Sequence, residues 1–469
     1  MKIEQLYTKC LAQGAYYIAS NGEAAIIDPL RETQPYIDLA NQNGVRIKYI
    51  FETHFHADFV SGHIDLAKKT GATIVYGPSA TTDYEIHEAS DHEVFQIGDI
   101  TITVLHTPGH TPESTTYLLT DQEGHQKAIF TGDTLFIGDV GRPDLAIKGT
   151  VTQEDLAGML YDSLRNKIMP LPDDIIVYPA HGAGSACGKN MSTETFDTLG
   201  NQKKVNYALR ADMTKEEFIQ EVTSGLNQAP QYFAKNAMLN KTGYGNIDQV
   251  IKSGLEALDP KQFETKISQN DVLVLDTRKA QVFKDGFIPH AINIGIDGGF
   301  APWVGTVIID INQPILIVAD AGREQEVVTR LARIGYDNTI GYLAGGMDAW
   351  IAAGNPIEKI ESISAEALET QLKNGTKGIV LDVRKPSEYE AEHVTGAQLF
   401  PLDYINDNVE QLNDQTLYYV HCRSGYRSMV ASSILKSAGY QNIIEIKGGF
   451  LAIQQTGLSC TKFKCPNSK

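Results

Sequence analysis

Val272-Leu273-Val274-Leu275-Asp276-Thr277-Arg278 recurs 106 residues later as Gly378-Ile379-Val380-Leu381-Asp382-Val383-Arg384, and the same shift relates His290-Ala291 to Gly396-Ala397. Gly335-Tyr336-Asp337-Asn338 is answered by Gly439-Tyr440-Gln441-Asn442, and Gly345-Gly346-Met347 by Gly448-Gly449-Phe450. So many ordered matches make the C-terminal half two copies of one α/β unit. Each copy reads strand, helix, strand, loop, helix, the pattern of a mainly parallel sheet covered on both faces. The spacing predicts an α/β multidomain chain with boundaries at residues 1–254, 255–358 and 359–469, in which the charged stretch from about Asn201 to Gly254 is a helical connector.

Short apolar runs separated by glycine-rich breaks mark the first 190 residues. Val45 to Phe51, Ile100 to Leu105, Lys127 to Phe130 and Asp174 to Tyr178 read as strands, and Asp155 to Leu164 has helical spacing. Nine of the twelve histidines precede residue 182, so imidazole chemistry belongs to this part. His54, His56 and Asp58 follow one strand in Thr53-His54-Phe55-His56-Ala57-Asp58, and His110 closes His106-Thr107-Pro108-Gly109-His110. Asp133 and His181 each follow a further strand, in Thr131-Gly132-Asp133 and Tyr178-Pro179-Ala180-His181. Strand-end loops of a layered scaffold are where imidazoles and carboxylates from distant parts of a chain converge on a metal. A lone histidine is more often structural; six donors at successive strand ends are a candidate metal site.

The composition, 42% hydrophobic and 21% charged, is that of a globular protein. A formal net charge of −18 argues against a nucleic-acid binder, which needs a basic face. No membrane-spanning apolar run and no secretory leader follow Met1, so a cytoplasmic location is the expectation. Five scattered cysteines do not make a disulfide framework.

The His-x-His-x-Asp opening with the later His, Asp and His resembles the metallo-β-lactamase fold, an αββα sandwich, up to about residue 190. In similar dinuclear zinc hydrolases a histidine directly follows the aspartate; here that position is Phe59, which has no donor atom. The resemblance is best to the persulfide dioxygenase branch, which implies one ferrous iron, Fe(2+), per chain on His54, His110 and Asp133. His56, Asp58 and His181 would then orient the ligands. Arg142, in Gly141-Arg142-Pro143-Asp144, is a candidate partner for an anionic substrate group, an exposed structural arginine being the other reading.

In the second repeat a strand from Thr416 to Val420 leads into His421-Cys422-Arg423-Ser424-Gly425-Tyr426-Arg427-Ser428 and then an apolar helix. Backbone N–H groups and a helix N-terminus would stabilise a thiolate or persulfide at Cys422, with Arg423 or Arg427 adding positive charge. The repeats resemble rhodanese-like domains, sulfurtransferases whose six-residue loop matches Cys422 to Arg427, whereas related phosphatases use a longer one. The first repeat has Ala319-Asp320-Ala321-Gly322-Arg323-Glu324 instead, without cysteine, and is expected to be structural or a docking domain. Cys187 lies six residues beyond His181, where it either accepts sulfur at the metal pocket or simply packs. Core packing is expected for Cys10, and no zinc site for Cys460 and Cys465.

The resemblance implies oxidation of a low-molecular-weight thiol persulfide by dioxygen (O2) to sulfite, and transfer of sulfane sulfur by Cys422 to sulfite, giving thiosulfate. The acidic charge and the lack of a long apolar run lead to the expectation of no nucleic-acid and no membrane partner, and a homo-oligomer is expected. A zinc thioester hydrolase of glyoxalase II type and a non-enzymatic persulfide carrier or sensor are the alternatives.

Overall fold

A computed structural model describes residues 1–146, 151–226, 229–269 and 271–462, so Cys465 lies outside the described residues. The chain divides into two compact units, one of residues 1–247 with 332–335, the other of residues 248–331 and 336 onward. No helix among the described residues is long and apolar enough to cross a membrane.

The first unit is built on two six-stranded sheets. One runs in the order Lys2–Thr8, Gln13–Ser20, Glu23–Ile27, Arg46–Phe51, Thr73–Tyr76, His87–Glu88, and the other Asp197–Thr198, Ile176–Pro179, Gln126–Gly132, Thr115–Thr120, Ile100–His106, Val94–Ile97. Side-chain alternation assigns each strand two faces. Tyr16, Ile18, Ile27 and Phe51 of the first sheet share a core with Ile102, Val104, Tyr117 and Phe130 of the second. On the opposite face of the first sheet, Ala15, Tyr17, Ile26 and Ile50 pack on Tyr36 and Leu66 of helices Gln34–Gln42 and His63–Thr70. Leu105, Leu118, Ile129 and Val177 of the second sheet pack on Ala157 and Leu160 of helix Gln153–Ser163. The result is four layers, helix, sheet, sheet, helix. Helix Gln153–Ser163 starts where Thr152 and Asp155 form a reciprocal capping box and runs into a π-helical turn at Leu164–Ile168.

The second unit holds two five-stranded parallel sheets of identical strand order, as the sequence repeat predicts. In the first the order is Ala257–Leu258, Thr339–Leu343, Ile315–Val318, Leu273–Asp276, Ile292–Asn293; in the second it is Glu361–Ile363, Ile443–Ile446, Tyr418–His421, Ile379–Asp382, Gln398–Leu399. The repeated Asp-x-Arg now has a physical reason. Arg278 closes a buried fork onto Asp276 at 2.6 Å, and Arg384 does the same to Asp382 at 2.6 Å. A buried carboxylate at a strand end needs such a partner.

Candidate metal centre and sulfur-carrying loop

His54, His110 and Asp133 meet at the ends of their strands, with ligand atoms of all three within 4.8 Å of one another and all three buried. Asp133 follows Gly132, whose φ is +52° and whose hydrogen faces Thr53; a side chain there would collide with Thr53. Thr53 Oγ1 donates to Asp28 Oδ2 at 2.8 Å, so towards His54 Nδ1, 3.0 Å away, it acts as an acceptor. His110 Nδ1 donates to the carbonyl of Arg142 at 2.8 Å. Both rings thereby carry their proton on Nδ1 and present bare Nε2 atoms, 3.8 and 3.4 Å from Asp133 Oδ2. Among the described residues that buried oxygen has no hydrogen-bond partner. Burial, with His56 next, holds His54 well below the usual imidazole range, so it is the neutral ligand form. Two bare imidazole nitrogens and a buried carboxylate oxygen are the donor set that would hold a metal ion.

The other oxygen of Asp133 is engaged differently. His181 Nδ1 lies 2.8 Å from Asp133 Oδ1, and His181 Nε2 lies 2.8 Å from Asp58 Oδ2. Burial alone would lower the His181 pKa, but Asp133 and Asp58 outweigh it and hold it well above the usual range. Burial likewise opposes ionisation of Asp133, yet His181 and His54 pull it well below the carboxylate range. Cys187 is buried beside this pair, grouped with Asp58 and His181. Burial and the Asp58 charge push its thiol up, so it stays protonated. Replacing Asp58 by Asn is expected to lower metal affinity about 10- to 100-fold, as outer partners of metal ligands do, measured by chelator competition.

His56 turns to a separate buried cluster, with Nε2 3.0 Å from Asp28 Oδ1 and 3.6 Å from Glu52 Oε2, and its ring 4.2 Å from that of His54. Phe59 packs on it with its ring tilted by 33°, centroids 4.3 Å apart. Asp28 and Glu52 carry no signature in the sequence, because isolated polar residues beside strands are common. Arg142 is not exposed: its guanidinium is buried and holds Asp144 at 2.6 and 2.7 Å, while its carbonyl orients His110. Its Nη1 also donates to the Ala186 carbonyl at 3.3 Å, so the guanidinium ties the loop before Cys187 to the one that anchors His110. Cys10 is only half buried, in the turn after the first strand, not in the core.

In the second unit, Cys422 follows strand Tyr418–His421 and is buried. Its Sγ accepts the Gly425 N–H at 3.1 Å and lies 3.6 Å from Ser428 Oγ, at the start of helix Tyr426–Ser437. Ser428 in turn donates to the buried Glu445 at 2.9 Å. Arg427 pairs with Glu388 at 2.5 and 2.9 Å, whereas Arg423 is exposed. Gly449, at φ +59°, packs its hydrogen on the carbonyls of Cys422 and Arg423. Gly449→Ala is expected to destabilise the chain by more than about 1 kcal/mol, read as a lower denaturant midpoint, because the new methyl group meets backbone in a left-handed conformation. Cys460 is half buried, and among the described residues it belongs to no cluster of metal-ligand side chains.

This fold and site define a class. The metallo-beta-lactamase superfamily model matches residues 9–181, and the rhodanese-like domain model matches residues 259–353 and 364–456. The chain belongs to the metallo-beta-lactamase superfamily, with two rhodanese-like domains after the catalytic-type domain. It is 35% identical over 207 residues to the persulfide dioxygenase ETHE1 of Homo sapiens, covering 44% of this chain and 72% of that protein. It is 37% identical over 170 residues to a hydroxyacylglutathione hydrolase of Tolumonas auensis, covering 35% of this chain but only 60% of the hydrolase. The crystal structure of a metallo-beta-lactamase from Staphylococcus aureus covers 73% of this chain and 98% of its own, at 33% identity and a TM-score of 0.65. The superfamily fold implies a bound metal, and the residues described above fit one.

Proposed function

We propose that the first unit oxidises a low-molecular-weight thiol persulfide with dioxygen at one iron on His54, His110 and Asp133, and that Cys422 transfers sulfane sulfur to the sulfite formed. The observation that carries this reading is the asymmetry of the centre. His54 and His110 Nε2 both face Asp133 Oδ2, whereas His181 has both nitrogens against carboxylates and Phe59, which has no donor atom, directly follows Asp58. Similarity to a persulfide dioxygenase and the rhodanese-like repeats support the sulfur chemistry.

Iron bound there would supply the one-electron chemistry that dioxygen requires. The protein's own part is orientation and proton control. Thr53 and the Arg142 carbonyl fix the two imidazole tautomers, and the His181 ring, held between Asp133 and Asp58, engages Oδ1 and keeps the carboxylate Oδ2 turned to the histidines. In the net reaction, persulfide, dioxygen and water give the thiol, sulfite and two protons. In the second unit, Cys422 Sγ attacks the outer sulfur of another persulfide, the S–S bond of the donor breaks and its thiolate leaves. Sulfite then takes the sulfane sulfur, thiosulfate departs, and the Cys422 thiolate returns with no net redox change. The Gly425 N–H points at the sulfur that bears the charge.

A second reading, a zinc thioester hydrolase, is favoured by the hydroxyacylglutathione hydrolase similarity and by the donor group Asp58, His181 and Cys187 alongside the first. Metal analysis after anaerobic purification separates the two. We expect one iron per chain and no thioester cleavage; two zinc ions per chain with thioester turnover would overturn the dioxygenase reading.

A further inference from the structure

Tyr426 opens the helix that carries the sulfur loop, directly after Gly425, whose N–H meets Cys422 Sγ. Its hydroxyl donates to the carbonyl of Gly295 in the cysteine-less repeat at 2.7 Å. Its ring lies so close against Gly298 that a methyl group at that position would fall inside it. The same face of the helix, at spacings of three and four, brings Met429 into the core of the first repeat and Ser433 Oγ to the Asn293 N–H at 2.9 Å. The sulfur loop's helix is therefore mounted on the other repeat at three levels.

The mount is itself braced. Arg323 Nη1 holds Asp297 at 2.8 Å and Arg330 Nη1 donates to the Ile296 carbonyl at 2.6 Å, so both central residues of the Gly295–Gly298 turn are tied down. Glu326 ties the two arginines together, at 2.8 Å to Arg323 and 2.7 Å to Arg330. Arg323 belongs to Ala319–Glu324, the counterpart in this repeat of the Cys422 loop. A loop that has no cysteine to present instead anchors the turn against which Tyr426 rests.

We propose that the cysteine-less repeat is a positioning platform for sulfur transfer, with Tyr426 as the positioning residue and the Gly295–Gly298 turn as its seat. The chemical meaning rests on the sulfur-transfer reading above. Donors that stabilise a sulfur anion work only if they are placed before the charge develops, and a small rotation at the start of the helix would carry the Gly425 N–H off Cys422.

The test uses the full chain and two readouts, the alkylation rate of the Cys422 peptide by iodoacetamide and the kcat and KM of thiosulfate formation. Gly298→Ala should lower both the alkylation rate and kcat by about tenfold, the scale of one hydrogen bond to a charged group, with KM for the persulfide unchanged. Tyr426→Phe, which removes only the hydroxyl, should move both in the same direction by less. Combining Gly298→Ala with Tyr426→Leu should be no worse than Tyr426→Leu alone, since the collision is gone. A fall in Tm with alkylation and kcat unchanged would mean mere packing and would overturn the proposal. Should Gly298→Ala not fold, Asp297→Asn and Tyr426→Phe decide: wild-type alkylation and kcat in both overturn it. Slowed alkylation in a protein whose wild type makes no thiosulfate would sink the sulfur-transfer reading and leave the platform standing.

Discussion

Asp133→Asn protein should retain no tightly bound metal and should lose persulfide-dependent oxygen uptake by on the order of 10³-fold or more, each factor of ten being about 1.4 kcal/mol of barrier. The substitution is nearly isosteric, so the strand end keeps its shape. What changes is charge at two places. The amide offers no anionic oxygen towards His54 and His110, which sit 3.8 and 3.4 Å from Oδ2 in the parent protein. It also deprives His181 of the stronger of its two carboxylate partners, so the proton now held between Asp133 and Asp58 is held less firmly. Folding should survive, because the amide fills the space of the carboxylate. Metal content by mass spectrometry and an oxygen electrode read the two effects separately, and an Asp133→Asn variant with full iron and full uptake would remove Asp133 from the centre.

Cys422→Ser should abolish thiosulfate formation, a loss on the order of 10³-fold or more as expected for deleting a nucleophile, while leaving oxygen uptake unchanged. Serine fits the same buried space and keeps the Gly425 N–H contact, so the loop has no reason to open. The hydroxyl is far less acidic than the thiol and forms no persulfide. The first unit carries its own ligands on its own strands, so the persulfide is still consumed and sulfite accumulates in place of thiosulfate. Unaltered thiosulfate production would exclude Cys422 as the carrier. Steady multiple turnover in the parent chain would exclude a protein that only stores or senses sulfur.

The sequence was legible where local pattern and chemistry coincide. Strand ends followed by His54, His110, Asp133 and His181 converge as their positions imply, and the 106-residue repeat is mirrored in two sheets of one strand order. It was not legible where function depends on pairings across long stretches of chain. Arg142 reads as a partner for an anionic substrate group or an exposed structural arginine, yet its side chain is buried against Asp144 and its backbone carbonyl orients His110. His56 shares a motif with His54 but faces Asp28 and Glu52, a direction fixed by the pairing of neighbouring strands. Tyr426 looks like one more loop residue; only the packing of its helix on the other repeat reveals its seat at Gly298. Cys10 read as core because it lies near the first strand, and the turn at its position leaves it half buried.

Whether one iron at His54, His110 and Asp133 oxidises a persulfide is read most directly by oxygen uptake. The measurement uses anaerobically iron-loaded full-length chain given a panel of low-molecular-weight persulfides, with sulfite trapped in the Cys422→Ser background. The predicted result is one dioxygen consumed and one sulfite formed per persulfide, at one iron per chain, and no uptake with zinc in its place. Iron-loaded protein that takes up no oxygen with any persulfide, or zinc-loaded protein that matches it, would contradict an iron-centred persulfide oxidation.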